Sequence, residues 1–173
     1  GGDVMHLFLV DPATGAVRDL TPDVSWWFDW MEPRGRYDVA PDAREIVVEA
    51  GFLDRRRDLL RSGLFTVALG GTGATPVALT MDHPAEDVWP RYAPDGSAIV
   101  YGHTEDPLFY ADRVRLWRMD RKTGRHAAWL ADWPLSPVKW EWADARTLVF
   151  AAEAEGRTRA YAWDGTGLPR ALT

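Results

Sequence analysis

Short apolar runs separated by clusters of Gly, Pro, Asp and Thr run the length of this chain, the pattern of β-strands joined by tight turns. Four segments share one grammar. Leu7-Phe8-Leu9-Val10-Asp11 turns at Pro12-Ala13-Thr14-Gly15 and ends at Leu20-Thr21. Leu64-Phe65-Thr66-Val67-Ala68-Leu69 turns at Gly70-Gly71-Thr72-Gly73 and ends at Leu79-Thr80. Val114-Arg115-Leu116-Trp117-Arg118-Met119-Asp120 turns at Arg121-Lys122-Thr123-Gly124 and ends at Leu130-Ala131. Arg159-Ala160-Tyr161-Ala162-Trp163-Asp164 turns at Gly165-Thr166-Gly167 and ends at Leu172-Thr173. Each reads as a β-hairpin in which Gly supplies the positive φ of the loop.

A second unit lies between these hairpins. It occurs as Tyr37-Asp38-Val39-Ala40-Pro41-Asp42-Ala43 before Glu45-Ile46-Val47-Val48-Glu49, and as Pro90-Arg91-Tyr92-Ala93-Pro94-Asp95-Gly96 before Ala98-Ile99-Val100-Tyr101. Its third form is Lys139-Trp140-Glu141-Trp142-Ala143-Asp144-Ala145 before Thr147-Leu148-Val149-Phe150. Pro-Asp-Gly is turn chemistry, and the apolar strand after it reads as buried on both faces. The unit order is strand, Pro-Asp turn, strand, loop, strand, Gly turn, strand. The hairpin ends recur 59, 51 and 42 residues apart, near the period of a propeller blade. The predicted fold is therefore all-β: a partial β-propeller of four-stranded antiparallel blades, about three and a half of them. Residues 1–21 form the outer hairpin of one blade, and 37–80, 88–131 and 137–173 form three more. Only residues 53–61 offer a turn or two of helix.

In such blades the first-to-second and third-to-fourth connections share one end, and here all are tight. The other end carries the long connections, 51–63, 102–113 and 22–36, the last with Trp26, Trp27, Trp30 and Met31. Extra loop residues on one end mark it as the end expected to meet substrate or a partner domain. Trp26 and Trp27 are adjacent, so in an extended segment they point opposite ways and one is expected to be exposed, as a partner anchor, a lid or plain loop packing. Trp117, Trp140, Trp142 and Trp163 lie in predicted strands and are expected to pack between blades.

Composition removes several classes of function. The 173 residues carry a formal net charge of −6, which argues against a general nucleic-acid binder. There is no Cys, so disulfides and thiolate metal sites are excluded. No apolar run reaches the ~20 residues that cross a bilayer, and no signal peptide is visible, so a cytoplasmic setting without membrane attachment is favoured. Asn and Gln are absent and Arg outnumbers Lys 18 to 2, a bias best assigned to a GC-rich genome.

Catalytic chemistry is not legible. No Gly-x-Ser-x-Gly elbow occurs around Ser25, Ser62, Ser97 or Ser136. His6, His83, His103 and His126 lack metal-ligand spacing and are expected at the surface. No phosphate-binding Gly loop or other cofactor motif appears, so no cofactor is expected. Arg55-Arg56-Arg57 with Arg61, flanked by Asp54 and Asp58, reads as a solvated basic loop, with a phosphate site as the alternative. Glu105, Asp106 and Asp112 share one loop and could hold a substrate amine or a cation, although solvated charge also accounts for them.

Several of these stretches are familiar in combination. Pro-Asp-Gly, an apolar strand and a Leu-Thr hairpin end resemble the propeller repeats of the TolB-like group. Trp89-Pro90-Arg91-Tyr92-Ala93-Pro94-Asp95-Gly96, Ile99-Val100-Tyr101, Tyr110-Ala111-Asp112-Arg113-Val114-Arg115-Leu116-Trp117 and Asp120-Arg121-Lys122-Thr123-Gly124 resemble the propeller of the prolyl oligopeptidase family, above all its dipeptidyl-peptidase and acylaminoacyl-peptidase branches. The stretch from Ala151 to Thr158 continues the likeness, which covers most of residues 37–173. The resemblance implies a non-catalytic propeller that caps an α/β-hydrolase domain in the same full-length chain and admits peptides to its Ser-Asp-His triad. The usual Ser before Pro-Asp-Gly is Ala40, Ala93 and Ala143 here, Pro is lost before Asp144, and Tyr110 stands where the family often has an acid. The substrate- or partner-binding residues expected on this reading are Trp26, Trp27, Trp30, Arg55, Arg56, Arg57, Glu105, Asp106, Tyr110 and Asp112. The competing expectations are a stand-alone TolB-like scaffold for protein partners and a sugar-binding propeller using exposed Trp. Open blade edges lead to an expectation of homo-oligomers.

Overall fold

The computed structural model describes residues 5–28, 36–71 and 75–173. Among them the chain forms strands and turns with no helix. A two-stranded sheet pairs β1 (Phe8–Val10) with β2 (Val17–Asp19). Three four-stranded sheets follow: β3 (Tyr37–Val39), β4 (Glu45–Asp54), β5 (Leu59–Ala68) and β6 (Val77–Ala78); then β7 (Asp87–Tyr92), β8 (Ala98–His103), β9 (Arg115–Asp120) and β10 (His126–Ala128); then β11 (Pro137–Trp142), β12 (Leu148–Ala154), β13 (Arg157–Trp163) and β14 (Arg170–Ala171). In each sheet the strands lie side by side in chain order, every pair antiparallel, which is the blade of a β-propeller. The sheets are called here the first to fourth blades.

The recurrent Leu-Thr ends have a concrete cause. Thr21 Oγ1 accepts the amide of Leu7 at 2.9 Å, Thr80 Oγ1 that of Leu64 at 3.0 Å, and Thr173 Oγ1 that of Ala160 at 3.0 Å. The amide lies on the third strand where the short outer strand has already ended, so the hydroxyl replaces the missing ladder partner. Thr21 and Thr80 are fully buried, where an unpaired amide would cost about 1–3 kcal/mol. The third blade has Ala131 at this place. The turn aspartates work similarly: Asp11, Asp120 and Asp164 each accept both a backbone amide and a Thr hydroxyl of their own turn.

Apolar faces meet between blades. Leu20, Trp26, Ile46, Val48, Ala50, Phe52, Phe65 and Val67 fill the space between the first and second. Val47, Leu64, Tyr92, Ile99, Tyr101 and Met119 join the second to the third, and Val100, Leu116, Trp140, Leu148 and Phe150 join the third to the fourth. The innermost strands β7 and β11 share a device: each ladder shifts register at a bulge whose left-handed residue is not glycine, Trp89 (φ 51°) and Lys139 (φ 53°). One position along these strands is charged in all three complete blades, as Asp38, Arg91 and Glu141, and Arg91 Nη2 lies 2.7 Å from Glu141 Oε1.

Two expectations about the second blade need correction. Residues 53–61 are not helical, and 51–63 is not an irregular loop. β4 and β5 stay paired from Glu45↔Ala68 to Asp54↔Leu59, and a four-residue turn at 55–58 with Asp58 at φ 51° closes the hairpin. The cause is a buried ion pair across its tip. Asp54 Oδ2 receives Arg61 Nε at 2.9 Å and Arg57 Nη1 at 2.7 Å, both Asp54 and Arg61 are buried, and the Arg61 guanidinium stacks over Phe52 at 4.7 Å. Arg61 also donates to the carbonyls of Met81 and Ala85, tying the long hairpin to the linker between blades. The hydrogen bonds that Asp54 itself accepts, from Arg61 first and then Arg57, hold its carboxyl down at about 2 against burial.

Candidate functional site

β4 climbs toward the end of the molecule that carries the long connections, and β7 starts there. Between them opens a cleft of about 400 Å³, lined by Trp27, Arg36, Glu49, Ser62, Glu86 and Val88 among others. Trp27 is set by backbone pairing: its amide and carbonyl exchange hydrogen bonds with Gly51 at 3.2 and 2.9 Å. Its indole lies flat on Gly51, where a Cβ would come within 2.1 Å of the ring, so no side chain fits there. Trp26, the preceding residue, points the other way into the core, 4.5 Å from the Phe65 ring. Trp27 keeps 39% of its surface exposed and forms one wall.

The floor is charged. Glu49 interrupts the apolar run of β4 and is 5% exposed. One of its oxygens pairs with Arg36, and the other accepts the amide of Trp89 at 2.9 Å, the amide freed by the bulge in β7. Burial pushes Glu49 up to about 7 against the pull of Arg36 and that amide. Glu86, although exposed at its surface, is also raised, first by desolvation, with Arg36 opposing and the neighbouring Asp87 adding to the rise. Among the described residues, the Glu49 and Glu86 carboxyls thus lie with the Arg36 guanidinium beside an indole face, a setting that accepts a further cation or amine. Ser62 supplies a hydroxyl, but no histidine hydrogen-bonds a serine among the described residues, so no nucleophilic dyad is present there.

Of the expected binding residues that are described, only Trp27 lines this cleft. Trp30 lies outside the described residues. Arg55, Arg56 and Arg57 sit in the exposed turn of the β4–β5 hairpin, with Arg56 on Asp82 at 3.1 Å and Arg57 on Asp54. Glu105, Asp106 and Asp112 share the loop between β8 and β9, but Asp112 turns inward on its own loop. It accepts the amides of Glu105, Asp106 and Arg113 at 2.7, 3.1 and 2.7 Å, and those bonds hold its carboxyl low although burial works to raise it. Arg115 closes the loop, 3.1 Å from Glu105 and 3.3 Å from Asp112. Tyr110 is wholly exposed in a run with Leu108 and Phe109, both exposed too.

Sequence reasoning passed over Glu49, Arg36 and Glu86. The available signal was Glu49 itself, an acid that interrupts the apolar run of β4 at the repeat position where the third blade has Gly102. The histidines also differ from expectation. His103 is buried rather than surface-exposed, and His83 and His126 are half-buried against it, because the linker and two strands of the third blade converge there.

No protein-family model matches the chain, and no curated protein is detectably similar to it. Solved structures do match. A putative TolB from Agrobacterium tumefaciens superposes with a TM-score of 0.67 at 14% identity, over 97% of this chain and 56% of that one. A puromycin-hydrolyzing peptidase from Mycobacterium tuberculosis gives 0.66 at 20% identity, over 97% of this chain and 27% of that one. The β-propeller domain of the trilobed protease from Pyrococcus furiosus gives 0.50 at 15%, over 70% and 37%. The chain therefore has the β-propeller fold, shared with TolB proteins and with the propeller of a protease, and it spans about half or less of the length of these structures.

Proposed function

We propose that this chain is the non-catalytic propeller segment of a prolyl oligopeptidase-like serine peptidase, and that it gates peptides and orients them by their amino end. The observation that carries this reading is the cleft at the long-connection end, where Glu49 and Glu86 flank Trp27. A peptide ammonium beside Glu86 favours the ionised form of a carboxyl that desolvation has raised, and the Trp27 indole covers the first side chain. The α/β-hydrolase domain that cleaves the peptide belongs to the rest of the full-length protein on this reading. The test is steady-state hydrolysis of peptide anilides with free and with acetylated amino ends by the full-length protein. Glu86→Gln is expected to raise KM for the free-amine substrates about tenfold, the cost of roughly 1.4 kcal/mol of lost ion pairing, and to leave the acetylated ones unchanged. Equal effects on both would remove the amino-end role.

A second reading, a TolB-like scaffold that binds a protein partner, draws support from the exposed Leu108-Phe109-Tyr110 run. It predicts a full-length protein without hydrolase activity.

A further inference from the structure

Behind the cleft, in the seam between the second and third blades, three side chains from separate places meet. His83 comes from the linker that follows β6, Asp87 opens β7 and His103 closes β8. Asp87 is fully buried, and each of its oxygens faces one imidazole: Oδ2 is 2.9 Å from His83 Nδ1, and Oδ1 is 2.8 Å from His103 Nδ1. One ligand atom from each residue lies within 4.8 Å of the other two. His126, whose ring lies 4.9 Å from that of His83, is already engaged by the Tyr101 hydroxyl at 2.8 Å and by the Leu79 backbone. Trp117 closes the far side, 4.3 Å from the His103 ring.

We propose that His83, Asp87 and His103 form a binding site for a divalent transition metal, zinc foremost. Two imidazoles and one carboxylate are a donor set that zinc takes, and three protein ligands leave its fourth position for water. The charge balance points the same way. With both rings neutral the cluster holds a buried negative charge, and among the described residues only the two histidines bond to it. A dication would more than offset that charge, and a hydroxide in its open position would bring the site to neutrality. Access is available, because the side chain of His83 keeps 16% of its surface while Asp87 and His103 are closed off. A metal here would pin the interblade linker to the first two strands of the third blade, a staple across a seam that is otherwise partly polar. The site is independent of the peptidase reading and needs no substrate.

The test is equilibrium dialysis of the full-length protein against micromolar zinc, followed by elemental analysis and thermal melts with and without the metal. The expected result is a zinc equivalent that His83→Gln and His103→Gln lose, with binding at least tenfold weaker, and that His6→Gln keeps. Zinc should raise the melting temperature of the wild type and leave that of His83→Gln unmoved. His83 is partly exposed in a linker, so its variant is the one expected to fold. Cobalt added to the wild type gives a readout free of any substitution: visible bands that zinc displaces and that His83→Gln lacks. Zinc retained equally by His83→Gln would overturn the proposal, and so would a wild type that binds neither zinc nor cobalt.

Discussion

The two seams of the third blade are built from different materials. Toward the fourth blade it presents Val100, Leu116 and Gly102, and the large indole of Trp140 fills the hollow over Gly102, where a Cβ would come within 2.8 Å of the ring. The Trp140 N–H has no hydrogen-bond partner among the described residues, so shape alone holds it. Toward the second blade the apolar centre of Val47, Leu64, Ile99 and Tyr101 is framed by polar contacts. Glu45 receives both the Tyr92 hydroxyl at 2.9 Å and Arg121 at 2.5 Å, Asp38 takes the Tyr92 amide at 2.8 Å, and Glu49 takes that of Trp89. The repeat position that is Gly102 at one seam is Glu49 at the other. A residue that must only make room for a neighbour stiffens the scaffold. A buried carboxylate at the same place costs solvation and creates a charged cleft. The candidate sites therefore lie at the seam where packing is less purely apolar, as is usual for functional regions.

Substitutions can break or sharpen this contrast. The largest effect is expected from Trp140→Ala, which empties the apolar seam and should cost about 3–5 kcal/mol in urea unfolding. A loss below about 1 kcal/mol would mean that the third and fourth blades are not held by this ring.

At the polar seam the informative variable is pH. Glu49 has a folded value of about 7 against 4.5 for a freely solvated glutamate, so the folded protein holds its proton where the unfolded chain has released it. Its contribution is full below 4.5 and is lost as pH rises through 7, with a slope of up to about 1.4 kcal/mol per pH unit. His126, lowered chiefly by burial, acts in the opposite sense as pH falls through its range, so the difference between wild type and Glu49→Gln is the quantity to measure. Glu49→Gln should remove the Glu49 slope from unfolding curves taken across that window. Parallel curves for the two proteins would mean that Glu49 is ionised throughout.

The smallest effect is expected where the same kind of ion pair is left in water. Arg56 and Asp82 keep 74% and 93% of their side chains exposed, and Arg56→Ala should change stability by less than about 0.5 kcal/mol in the same assay. A loss several times larger would mean that the hairpin tip is fastened from outside as well as by the buried Asp54–Arg61 pair.

Much of the architecture was legible because it repeats. The Leu-Thr ends and Pro-Asp turns mark strand pairs that make local hydrogen bonds, so each copy carries its own instructions, down to the Thr hydroxyl that caps a third-strand amide. The β4–β5 hairpin was less legible. Arg55 to Arg57 read as a solvated loop, because nothing local shows that Arg61 will be buried on Asp54 and bonded to the carbonyls of a linker some 20 residues on. The cleft was opaque for the same reason: Glu49 and Trp89 belong to different blades, and only their stacking brings them together. The histidine cluster needed the register of β7 on β8, which sets His103 opposite Asp87, and a linker that folds His83 back over both.

By itself, then, the amino-acid order determined the strands, the turns and their antiparallel sequence, since each depends on neighbours a few residues apart, and the lack of Cys excluded thiol chemistry. The tertiary structure decided which polar side chains became buried and which of them met. It set Trp26 inward and Trp27 outward over Gly51, lifted Glu49 toward neutrality, and closed two imidazoles on Asp87. The first two depend on the desolvation and distance that come only when one sheet packs against the next, and the last on how β7 registers with β8 and how the linker folds back over them.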